Sequence, residues 1–70
     1  MTLYYVTAQA VKNDQFELVH GTVSSPKLSN VMDVLDDMLK RYDYKLTKIY
    51  SIEDLSTGEL YKENFFMATG

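Results

Sequence analysis

Seventy residues with a net charge of −3, 46% hydrophobic and 24% charged, describe one small globular domain rather than a disordered chain. There is no cysteine, which excludes a disulfide framework and a thiolate metal site, and the mild negative charge gives no reason for generic binding to nucleic acid or anionic lipid. At this length a single core barely supports independent folding, so the chain must pack well or gain burial from a second copy or a partner.

No apolar run approaches the roughly 20 residues of a membrane span. The opening stretch MTLYYVTAQAV lacks a basic segment and is broken by polar residues, so no signal peptide is expected. The expected setting is the cytoplasm, of a bacterium or of a virus-infected host cell.

In chain order, residues 2–11 alternate between Leu3, Tyr5 and Thr7 on one side and Tyr4, Val6, Ala8 and Ala10 on the other. Aromatic and β-branched residues suit a pleated surface, and neither side is purely polar, so this reads as a central strand with both sides at least partly covered. Lys12, Asn13, Asp14 and Gln15 form a polar turn, and residues 16–23 return as a second strand, closing a hairpin. Phe16, Leu18, His20 and Thr22 share one of its faces, and Glu17, Val19, Gly21 and Val23 the other.

Pro26 lacks an N–H and marks the exit from the second strand. Residues 30–42, NVMDVLDDMLKRY, carry the one clear helical pattern. At roughly 100° per residue, Val31, Met32, Val34, Leu35, Met38, Leu39 and Tyr42 share an arc about 160° wide, which predicts a helix lying on the core. Asn30 followed by Asp33 predicts a capping box, with Asp in place of Glu or Gln. Asp36 with Lys40 and Asp37 with Arg41 have the spacing of stabilising acid-to-base pairs.

Residues 46–55 read as a third strand, with Leu46, Tyr50 and Ile52 on one face and Thr47, Ile49 and Ser51 on the other. Ser56, Thr57 and Gly58 make a turn, and residues 59–67 return as a fourth strand, with Ile52 opposite Tyr61 as the best apolar match. The predicted fold is α+β, strand-strand-helix-strand-strand. It has a four-stranded, mainly antiparallel sheet in the order 2-1-3-4 and one helix on one face. A helix of this length covers about half of one sheet face, and nothing in the sequence covers the other.

That geometry directs the functional reading. Either choice of inner face leaves apolar groups outside, and exposed aromatics favour protein interfaces. The expected partner surface comprises Tyr4, Tyr5, Tyr61, Phe65 and Phe66, together with an acidic zone at the last hairpin formed by Glu53, Asp54, Glu59 and Glu63. The acidic zone could meet a basic groove on another protein.

Competing chemistries are weaker. His20 is the only histidine and has no orienting carboxylate or nucleophile at a telling spacing. Asp33, Asp36 and Asp37 spread over a helix face rather than alternating in a calcium loop. Lys40, Arg41, Lys45 and Lys48, interleaved with Tyr42, Tyr44 and Tyr50, have the composition of a nucleic-acid surface, but Asp43 interrupts them. Ser25-Pro26 is explained by loop chemistry, and the glycines are isolated.

The expected function is therefore a non-enzymatic protein-binding module, with no catalytic residues, metal or cofactor. It would act as a small adaptor or inhibitor, and a homodimer is expected. The layout is shared by many unrelated accessory proteins, including phage-encoded inhibitors of host complexes, which makes a phage or mobile-element origin one expectation. The alternatives are a structural homo-oligomeric subunit and a nucleic-acid-contacting accessory protein using the basic cluster.

Overall fold

A two-residue turn sets the register of the sheet. In the computed structural model, which describes residues 1–62, β1 (Thr2–Lys12) and β2 (Gln15–Ser25) meet at Asn13 and Asp14. Their φ angles are 54° and 62°. Positive φ at both central positions is the type I′ geometry whose twist matches a hairpin, and Asn and Asp tolerate it better than other residues with a Cβ. The turn is shorter than the four polar residues suggested, because Lys12 pairs with Gln15 inside the ladder. The register then runs unbroken to Thr2 opposite Ser25.

Ser25 is fully buried, and its hydroxyl donates to the Lys27 carbonyl at 2.8 Å. A short 3₁₀ turn, Leu28–Asn30, leads into α1 (Val31–Lys40). The expected capping box does not form, since Asn30 already has helical backbone angles and makes no side-chain cap bond. A capping side chain needs an extended backbone at its own position to reach back to the helix amides. Here the entering turn does that work, with the Asn30 N–H donating to the Lys27 carbonyl at 3.1 Å. At the other end Asp43 takes φ 65°, the Asp43 N–H donates to Lys40, and the Tyr44 N–H donates to Leu39 at 3.0 Å. This is the paired closure of a Schellman motif, with Asp where glycine is usual. It ends the regular helix at Lys40, short of the expected Tyr42. Of the two expected acid-to-base pairs, the described residues include Asp36 with Lys40, at 3.0 Å.

β3 (Lys45–Asp54) pairs antiparallel with β1, and β4 (Leu60–Lys62) with β3, giving the order β2-β1-β3-β4 and the Ile52–Tyr61 pairing. The fold is the expected small α+β arrangement. The expected fourth strand continued to residue 67, and residues 63–67 lie outside the described residues.

One face assignment needs correction. Ile49 was expected opposite in sense to Ile52, yet both are buried in the same core. The β1–β3 register shifts between Thr7 and Ala8 and again between Gln9 and Ala10, so β3 carries an extra residue at each step. A bulge inverts the alternation beyond it, which places Ile49 and Ile52 on one side although they are three apart. The core is the helix-side face of the sheet: Tyr4, Val6 and Ala8 of β1, Val23 of β2, and Ile49 and Ile52 of β3, closed by Val31 and Leu35 of α1.

Candidate protein-binding surfaces

Strand alternation and register place the side chains of the opposite face. β1 contributes Leu3, Tyr5, Thr7, Gln9 and Val11, and β2 contributes Phe16, Leu18, His20, Thr22 and Ser24. Glu53 lies beside Tyr5 and Leu60 beside Glu53, so Thr22, Tyr5, Glu53 and Leu60 form one row across all four strands. Lys62 lies beside Ser51, Lys48 beside Gln9 and Lys45 beside Val11. No helix lies over this face among the described residues. Phe16 and Leu18 are each 65% exposed, and Leu3, Tyr5 and Leu60 are exposed as well.

The face is thus apolar over β2 and β1 and carries its lysines on β3 and β4, beside Leu60. Lys45, Lys48 and Lys62 sit on it with Glu53, although the chain as a whole is acidic. Its aromatic part is ordered by contacts within the sheet. Tyr5 Oη and His20 Nδ1 share a hydrogen bond at 2.8 Å, with the rings 6.1 Å apart. The Lys48 ammonium lies 5.2 Å from the centre of the Tyr50 ring, within range of a cation–π attraction.

The expected site residues divide. Tyr5 and Glu53 belong to the bare face. Tyr4 does not: even positions of β1 face the helix, and Tyr4 is buried among Val6, Val23 and Ile52. Tyr61 pairs with Ile52 and so lies on the helix side, where its hydroxyl donates to Glu59 Oε2 at 2.9 Å. That bond to a carboxylate holds the Tyr61 phenol above its ordinary pKa. Glu63, Phe65 and Phe66 lie outside the described residues.

The acidic hairpin is divided as well. Asp54 Oδ1 accepts from the Ser56 hydroxyl at 2.6 Å, the Ser56 N–H at 2.9 Å and the Thr57 N–H at 3.3 Å. The Ser56 hydroxyl above all, with the two amides, holds the Asp54 carboxyl below its usual range, while desolvation opposes them. Its role is to fold the loop that Gly58 completes at φ 80°. Phe16, Leu18, Leu3 and Leu60 were missed as site residues. Their parity with Tyr5 was legible, but only the position of the helix says which parity is bare.

A second feature lies on the helix side. Between α1 and β2 is an apolar cavity of about 150 Å³, lined by Val19, Gly21 and Val23 from the strand, by Leu35 and Met38 from the helix, and by Tyr42 from the turn that follows it. Gly21 helps to open it, since a Cβ added there would meet nothing within 4 Å. Tyr42, expected in the buried arc, is 67% exposed and lines this groove. Met32 and Met38 are likewise exposed, so the helix overhangs the core it covers.

Beyond the helix, the helix-side surface of the hairpin tip is polar. Lys12 Nζ lies 5.1 Å from the Tyr44 ring centre, and the Tyr44 hydroxyl hydrogen-bonds Glu17, which raises the pKa of the phenol. The expected basic cluster is dispersed: Lys40 pairs with Asp36, Tyr44 seals the hairpin, and Lys45 and Lys48 lie on the bare face. Among the described residues no three His, Asp or Glu side chains are grouped to hold a metal, and no helix is long and apolar enough to cross a membrane. Comparison with protein-family models, curated proteins and solved structures finds no match to this chain.

Proposed function

We propose that the chain is a non-enzymatic protein-binding module that docks a partner on its bare sheet face, acting as a small adaptor or as an inhibitor by occlusion. One observation carries this reading: Leu3, Tyr5, Phe16, Leu18 and Leu60 share a face without a covering helix in the described structure. Five large apolar groups on one side of so small a domain exceed ordinary surface scatter and have the composition of an interface. Lysines set among them favour a partner whose apolar patch has an acidic rim. The acidic hairpin contributes Glu53 to that face, while Asp54 and Glu59 are engaged within their own loop and strand.

Affinity capture from lysate of the source cell, read by mass spectrometry, tests the reading with a paired control. The wild-type chain should retain a specific protein that the Phe16→Ser, Leu18→Ser double variant loses. Equal retention by both overturns it.

Lys45, Lys48 and Lys62 on the face that carries Tyr5, with Lys48 against the Tyr50 ring, also favour a second reading, contact with single-stranded nucleic acid through a sheet face. Binding of an oligonucleotide that weakens steeply with added salt, and is lost in Lys45→Glu, Lys48→Glu, would put this reading first.

A further inference from the structure

We propose that two copies of this chain join edge to edge through β2, antiparallel about a two-fold axis at His20, to form one eight-stranded sheet with both helices on the same side. This goes beyond docking on the bare face and does not depend on it.

Among the described residues β2 is an edge strand without the usual protection. It runs for eleven residues in unbroken register, without proline or lysine, and Glu17 is its sole charged residue. Bulges, proline, lysine and short length are devices that keep free strands apart, and β2 has none of these four; its one helix-side charge, Glu17, faces Tyr44 of its own chain.

The free backbone groups can be assigned. A two-residue turn makes Lys12–Gln15 a hydrogen-bonded pair, so odd residues of β2 bond to β1. Phe16, Leu18, His20, Thr22 and Ser24 therefore point their N–H and C=O groups outward. The same phase sends odd residues of β1 towards β3, and the Leu3 carbonyl indeed accepts from the Leu55 N–H on that side.

An axis at His20 pairs all five residues: Phe16 with Ser24, Leu18 with Thr22, and His20 with itself. Moving the axis by one residue to Val19 leaves Ser24 unpaired. Centred on His20, the helix-side positions place Val19 of the second copy opposite Gly21, the point where a side chain has open space.

The groove fixes the same arrangement. α1 packs against both β2 and β3, so it straddles β1. In the dimer the two helices stand three strand spacings apart, about 14 Å. A helix with side chains is about 10–12 Å across, so a narrow gap remains. Met38 and Tyr42, 41% and 67% exposed at the groove, are the side chains that fill it.

The area agrees with a concentration-dependent dimer. The strand edge alone covers about 370 Å² per copy, which is the scale of a packing contact. The helix flanks add about 200 Å² per copy. Over both copies the total is about 1,100 Å², just short of the lower bound of stable interfaces, about 1,200 Å².

Charge at the axis provides the test, because any residue there meets its own copy. Sedimentation velocity on the full chain, from about 10 µM to about 1 mM, should show the wild type and His20→Gln passing from monomer to dimer. His20→Glu and His20→Lys should each associate at least about tenfold more weakly, since like charges then face one another. An equimolar mixture of the two should dimerise again. Far-ultraviolet circular dichroism confirms that each variant is folded, and the mixture would restore nothing if either variant were misfolded. A wild type that stays monomeric at the highest concentration overturns the proposal. So does unaltered dimerisation of both charged variants, or failure of the folded mixture to recover. None of these results bears on capture of a partner by Phe16 and Leu18, so the two proposals fail separately.

Discussion

Tyr4 and Tyr5 are adjacent and chemically identical, yet one is 4% exposed in the core and the other 37% exposed on the bare face. The same contrast runs the length of β1. Val6, Ala8 and Ala10 lie against the covered side, while Leu3 and Val11 share the opposite side with Phe16 and Leu18 of β2. Both faces are apolar enough to serve as a core. What separates them is where the single helix lands, so the apolar character of the second face is available for a partner.

The sharpest way to break this contrast is to delete each tyrosine. Tyr4→Ala should cost about 4 kcal/mol by the scale of buried aromatic truncations, most of the stability of a domain this small. Tyr5→Ala should stay within about 1 kcal/mol. Urea unfolding of the two variants checks both. Equal losses would mean that the two faces are packed alike.

Ile49 and Tyr50 extend the comparison to the bulged strand. Ile49→Ala should cost about 3 kcal/mol, whereas simple alternation would have placed Ile49 outside and made the change mild. A loss at Tyr50→Ala that matched it would argue against the bulges.

Ser25→Ala removes the donor to the Lys27 carbonyl and should lower stability by about 1 kcal/mol in the same assay. On the bare side, Leu18→Ser should change stability by no more than about 0.5 kcal/mol while weakening partner retention. A large loss of stability there would place Leu18 in a core.

The smallest expected effect is on acid stability. Asp54 has a folded-state pKa below its ordinary 3.8, chiefly because the Ser56 hydroxyl bonds the ionised form. A depressed carboxyl contributes stability that is fully present above the unfolded pKa and is lost as pH falls through the folded value. The contribution should therefore fade in the acid range below 3.8. Asp54→Asn should therefore lower the melting temperature slightly in the neutral region, where the carboxylate contributes, and converge with the wild type at the acid end of a melting temperature against pH profile.

The sequence alone specified the elements, their order and the amphipathic helix, because local periodicity and turn chemistry are written in neighbouring residues. It also determined the strand order, since antiparallel pairing with two hairpins and one helix leaves few arrangements. It indicated that one face would be left apolar and bare. The assignment of Tyr4 to the core and of Phe16 and Leu18 to the surface was decided only in tertiary structure. Two alternating apolar faces are equivalent until a helix covers one of them. The burial of Ile49 depended on bulges, which arise between strands distant in sequence and leave no mark in either strand alone. The capping of α1 was settled by the backbone entering it, which turned Asn30 from a cap into a helical residue. The groove beside β2 joins residues of one strand to residues of the helix, and only packing brought Gly21 under the exposed flank formed by Met38 and Tyr42.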